Sequence, residues 1–181
     1  MKIDIANWTF LVYLLIFGGG LAIPGCGEKT EPAQRSDGPS ELGKSLLLAV
    51  EPAGAMNVGD VLQFGSENEN VLVIGRIGGS RDPWVDSLAA FTLTDVSLVA
   101  CNEIPEDPCP TPWDFCCEPK LAANTLLVQI LSDDGELIEQ DARELLGVDE
   151  LDTVVIEADI NKDDAGNITL VAKKLFVRRS S

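Results

Sequence analysis

The sequence predicts a mainly β domain of five strands, with one short helix between the third and fourth. Three observations lead there. Five segments alternate apolar and polar residues or run continuously apolar with β-branched side chains, as strands do. Turn-forming clusters rich in Gly, Asn, Asp and Ser separate most of them. Only one segment in this region carries a full helix signature, and it lies between strands three and four.

Before the strands, residues 46–52 (LLLAVEP) read as a short strand or a packed extension, and residues 55–65 (AMNVGDVLQFG) as a helical turn with Asn57 as its N-cap. The first strand is residues 71–78 (VLVIGRIG), apolar on both faces, where Gly75 suggests a bulge or a sharp bend. The GGSRDP run then ends it. In residues 89–96 (AAFTLTDV), Ala89, Phe91 and Leu93 share one face and Thr92 and Thr94 the other. The third strand, residues 125–131, turns Leu126, Val128 and Ile130 inward.

Residues 139–147 (EQDARELLG) form the helix: acidic residues gather at its start, and Gly147 suits the C′ position. Residues 150–160 place Val154, Ile156, Ala158 and Ile160 on one face. The closing strand, residues 168–179, changes phase at Lys173-Lys174, which is the mark of a one-residue bulge.

Strand, strand, strand, helix, strand, strand is an order that resembles the OB-fold, a five-stranded Greek-key barrel with a helix between its third and fourth strands. The resemblance covers about residues 70–178 and implies a fold, not an activity.

The N-terminus addresses compartment. A polar head (MKIDIAN) precedes an apolar run from Trp8 to Ile23, shorter than the roughly 20 residues of a spanning helix. Ile23-Pro24-Gly25-Cys26 then resembles a bacterial lipoprotein lipobox, with Pro24 at a position usually taken by a small residue. The resemblance implies a signal peptide over residues 1–25 and lipidation of Cys26, which becomes the first mature residue. It also implies a membrane partner through the N-terminal lipid, and a place in the cell envelope facing the periplasm or exterior. Residues 27–44 (GEKTEPAQRSDGPSELGK) read as a flexible tether, so the mature chain divides into residues 26–44, a packed extension at 45–69, and the barrel at 70–179. The GRIGG, PW and CPTPWDFCC stretches together resemble a group of uncharacterised secreted bacterial lipoproteins, which carries no activity across.

The barrel holds an insertion, residues 97–124, with four of the five cysteines: Cys101, Cys109, Cys116 and Cys117. In an exported domain an even set of thiols favours two disulfides. Three pairings exist; a vicinal bond between Cys116 and Cys117 strains its peptide, which favours each of them joining Cys101 or Cys109. The alternatives are a metal-binding or thiol-redox carrier. Zinc usually takes cysteines in short-gap pairs, absent here, and adjacent cysteines diverge in an extended chain. Within the loop, Trp113, Asp114 and Phe115, with Trp84 in the preceding turn, read either as a displayed contact patch or as caps on the core.

The other motifs are weaker. Residues 159–167 (DINKDDAGN) imitate a calcium loop but place Asp164 where the glycine belongs and Leu170 where the closing Glu belongs. GRIGG lacks the Lys-Ser/Thr ending of a phosphate loop. The chain has no histidine, which excludes His-based acid–base and nucleophile pairs. No catalytic constellation stands out, and no cofactor is implied. A net charge of −17 argues against nucleic acid, while the aromatic patch, if displayed, suits an envelope protein, peptide or glycan partner. The expectation is a lipid-anchored, non-enzymatic binding or assembly module.

Overall fold

The structure, a computed structural model, describes residues 38–178. The signal segment, Cys26 and most of the expected tether lie outside the described residues. Within them the elements are α1 (Glu41–Leu46), β1 (Met56–Asn57), α2 (Val58–Phe64), β2 (Asn70–Ile77), β3 (Ala90–Thr94), β4 (Thr125–Ile130), α3 (Ala142–Leu146), β5 (Thr153–Lys162) and β6 (Ile168–Arg178).

Closure follows from strand pairing. The order β2-β3-β4-β6-β5 returns to β2 through an antiparallel ladder running from Asn70↔Asp159 to Arg76↔Thr153. All neighbours are antiparallel except β4 and β6, which are parallel. This is the five-stranded OB-type barrel with α3 between its third and fourth strands. The short β1 pairs in parallel with Val73 and Ile74, along the edge of β2 that β3 leaves free.

The alternation read from the sequence sets the interior. Val71, Val73 and Ile77 of β2, Phe91 and Leu93 of β3, and Leu126, Val128 and Ile130 of β4 are buried. So are Val154, Ile156, Ala158 and Ile160 of β5 and Leu170 and Leu175 of β6. The helices add Val58, Val61, Leu145 and Leu146. In β6 the register jumps from Glu157↔Lys174 to Ala158↔Ala172, so Lys173 is the extra residue of a bulge. The chain therefore turns both Ala172 and Leu175 inward, and Lys173 reaches Asp159 at 2.7 Å.

α3 ends at Gly147 as its sequence foretold, but starts at Ala142 rather than at residue 139. Asp141 caps it, accepting the Arg143 N–H at 2.9 Å, and Gly147 ends it in the left-handed region at φ 63°. Asn57 precedes α2 as expected, but its side chain makes no capping bond.

Two expectations need correction, and a third is not confirmed. The register of β2 runs unbroken through Gly75, so there is no bulge. A Cβ there would sit 2.5 Å from Leu93 Cγ, so the glycine makes room for β3. The tether reading extended to residue 44, yet the chain is docked from Ser40. Its N–H donates to Leu145 O at 3.0 Å, and its hydroxyl accepts the Gly43 N–H to cap α1. Gly43 packs so closely on α3 that a Cβ would lie 1.6 Å from Leu145 O. The third is the disulfides: Cys101, Cys109, Cys116 and Cys117 carry free thiols in this structure, so the expected disulfide-rich insertion is not confirmed.

Candidate functional site: the cysteine loop and the cleft at its root

Residues 95–124 leave β3 and return to β4 as an ordered excursion with its own small core. Phe115 is fully buried and packs with Leu98 and Ala100, flanked by Leu121 and Leu151. It docks on the end of β2: a Cβ on Gly78 would meet Phe115 Cε2 at 2.7 Å, and the Arg76 guanidinium lies 5.5 Å from its ring centre. Arg76 also pairs with Glu103 at 2.9 Å, and Glu103 accepts the Ala100 N–H. Two backbone bonds, Cys101 N–H to Asp114 O and Asn102 N–H to Pro112 O, tie the limbs of the loop together.

This packing brings the thiols together. Cys101, in a single 3-10 turn, is buried, Cys109 is half-buried, and Cys116 and Cys117 are exposed. Cys101 Sγ lies 3.6 Å from Cys116 Sγ, which lies 4.0 Å from Cys117 Sγ. Cys109 Sγ is within 4.8 Å of both Cys101 and Cys116. Cys116 and Cys117 do not diverge, because they form the middle of a turn closed by Glu118 N–H to Phe115 O at 2.9 Å. Burial, with hydrogen bonding to Cys116 and Cys109, pushes the Cys101 thiol up to about 12. The Thr111 hydroxyl and backbone pull Cys109 below the ordinary thiol value.

The aromatic patch resolves into packing and partial display. Trp84 is a core cap, only 7% exposed, tilted against Phe91, with Arg143 over its ring and its indole N–H donated to Glu150 at 2.7 Å. Phe115 is likewise interior. Neither is available for contact, because each fills a hydrophobic site whose vacancy would expose a core. Trp113 and Asp114 remain half-buried. The Trp113 indole donates to Arg81 O at 3.0 Å, and Asp114 Oδ1 accepts the Phe115 N–H.

At the root of the loop lies a feature the sequence did not reveal, a cleft of about 680 Å³ between α2 and the two limbs of the insertion. Asn57, Gly59, Gln63, Asp95, Ser97 and Asn124 supply its polar wall. Asp95 organises it. It is 3% exposed and accepts the Gly59 N–H at 2.8 Å, the Ser97 N–H at 2.9 Å and the Ser97 hydroxyl at 2.7 Å. A second hollow of about 430 Å³ shares Leu62 and Ala122 and runs past Thr92 and Leu127 to the turn at Asn167. These residues come from four separate segments, so no local motif marks them.

Asp95 makes a pH prediction. Burial opposes its charge, but the Gly59 and Ser97 donors outweigh that and hold its carboxyl below the ordinary aspartate range. With a depressed folded pKa, its stabilisation is complete above the unfolded value, about 3.9. It is lost as pH falls through the folded value. Asp95→Asn turns an amide NH₂ toward donors and is expected to cost about 1–3 kcal/mol at neutral pH. Its acid-unfolding curve should be flatter than wild type below about pH 4. Identical acid curves in a pH series of urea melts would refute the assignment.

The barrel and its cleft place the chain among OB-type β-barrels by fold. No known protein family and no curated protein matches the sequence. Among solved structures it is similar in shape to a protein assigned as an aspartyl-tRNA synthetase from Leishmania major Friedlin. There the identity is 13% and the TM-score 0.43, over 76% of this chain and 24% of that one. It is also similar to mitochondrial single-stranded DNA binding protein from S. cerevisiae, at 14% identity and a TM-score of 0.36, over 64% of this chain and all of that one. The exclusion of nucleic acid drawn from net charge does not stand. The physical reason is that net charge sums the whole chain, whereas recognition depends on the local face.

Proposed function

We propose that the protein is a non-enzymatic binding or assembly module of the cell envelope, held at a membrane by lipid on Cys26. Its ligand sits in the cleft between α2 and the root of the cysteine loop. The observation that carries this reading is the cleft, built on a closed barrel around the buried Asp95. Its amides, hydroxyls and carboxylates match a polar ligand such as a glycan or a peptide carrying a basic or amide group. The lipobox-like Ile23-Pro24-Gly25-Cys26 supports the anchoring, and several acyl chains on one residue hold a protein far more firmly than one.

The two parts are tested in one experiment. A photo-crosslinking residue replaces the exposed Gln63 in the full-length chain, with Glu136 as the control position. The expected result is a discrete adduct from Gln63 and none from Glu136, in protein that sediments with membranes. Cys26→Ser should move the protein to the soluble fraction. Equal adducts from both positions would remove the cleft assignment, and membrane retention of Cys26→Ser would remove the anchor.

A further inference from the structure

The four loop sulfurs meet at a point that residue spacing alone does not show. A tetrahedral ion bound to thiolates at about 2.3 Å separates its sulfurs by about 3.8 Å. Two of the contacts, 3.6 Å and 4.0 Å, bracket that edge. Cys101 and Cys116 each have the other three thiols within 4.8 Å. A pair of disulfides has a different shape: two sulfurs close to about 2.05 Å, with no need for the pairs to converge. Here no two of the four sulfurs are bonded.

We propose that Cys101, Cys109, Cys116 and Cys117 form a closed tetrathiolate site for one zinc ion, which clasps the insertion at residues 97–124. Four protein ligands fill a tetrahedron and leave no open position, so the site is structural. Sulfur-only ligation selects a soft ion over calcium or magnesium. Binding releases the four thiol protons, and no electron moves.

The surroundings fit this role. Asp107 Oδ1 accepts the Cys109 N–H at 2.7 Å, so a carboxylate fixes the backbone of one of the ligands. The Thr111 hydroxyl lies 3.4 Å from Cys109 Sγ. The Phe115–Glu118 turn aims the adjacent Cys116 and Cys117 into one cluster, and burial of Phe115 holds that turn in place. The site stands independently of the anchoring and of the cleft's ligand.

The test uses the full-length chain in detergent, purified without chelator or reductant, with metal measured by elemental analysis and sulfur linkage by non-reducing peptide mass mapping. One zinc per chain with no disulfide among the four cysteines is expected. After chelation under reducing conditions, Co²⁺ alone should give the intense visible absorption of a tetrahedral thiolate complex, and added Zn²⁺ should abolish it. Cys116→Ser should weaken that spectrum and shift it away from tetrathiolate. Cys26→Ser should leave it unchanged. If Cys116→Ser does not fold, zinc content and the cobalt spectrum of the wild-type chain decide alone. Two disulfides with no zinc would overturn the proposal, as would a cobalt spectrum indifferent to Cys116→Ser.

Discussion

Phe115→Ala is expected to destabilise the domain by about 3–5 kcal/mol, the usual loss for a buried phenylalanine. Its melting temperature should fall by on the order of 10 °C. The ring is fully buried at the centre of the loop's small core, so truncation leaves a cavity among Leu98, Ala100 and the end of β2. It also leaves Arg76 without the face it covers. The effect is local as well as global. The two backbone bonds between the limbs of the loop sit beside Phe115, so cleavage by a protease should begin between residues 101 and 117. Phe115→Leu, which keeps most of the volume, should recover most of the loss. Urea melts and timed proteolysis read both effects. A Phe115→Ala melt within about 1 kcal/mol of wild type would show that the insertion is not docked through this ring.

The second large effect concerns the barrel. Gly75→Ala should cost about 1–3 kcal/mol by overpacking, and Gly75→Val more. The added Cβ meets Leu93 Cγ at 2.5 Å and, at 2.8 Å, the carbonyl oxygen of Thr94, which as backbone cannot rotate away. Gly75 stays paired with Val154 throughout, so β2 cannot shift without breaking its ladder to β5. Because Leu93 is the nearest obstacle, Leu93→Ala should relieve part of the clash. The double variant is then less destabilised than the sum of the two single ones. Strict additivity in denaturant melts would count against this contact.

These two residues show how far the sequence could be read. Gly75 stood out as an unusual residue in a strand, but the bulge it suggested is absent, and a side chain from β3 18 positions away lies where a Cβ would sit. Phe115 stood out as an aromatic in a cysteine loop, where display and packing look alike until its neighbours from residues 78, 98 and 151 are in place. The bulge at Lys173 was legible because a phase slip in an alternating pattern is written in consecutive residues. α1 was not. Its six residues are too few to hold a helix in isolation, and it exists because Gly43 lets it lie against α3.

The cysteines carry the same lesson. Their number and their place between two strands could be read directly, and the inference of disulfides followed from the expected compartment. The divergence of Cys116 and Cys117 was inferred from extended backbone, whereas the chain makes a turn there. The cleft had no signature at all, since Gly59, Asp95 and Asn124 belong to different elements.

Strand order, inward faces, the Gly147 end of α3 and the bulge could all be read from the chain, because period-two burial and capping depend on residues a few positions apart. The convergence of four sulfurs, the cleft around Asp95 and the burial of Trp84 and Phe115 came only with folding. Each needs segments separated by tens of residues to meet, and barrel closure and the packed path of the insertion determine which of them do.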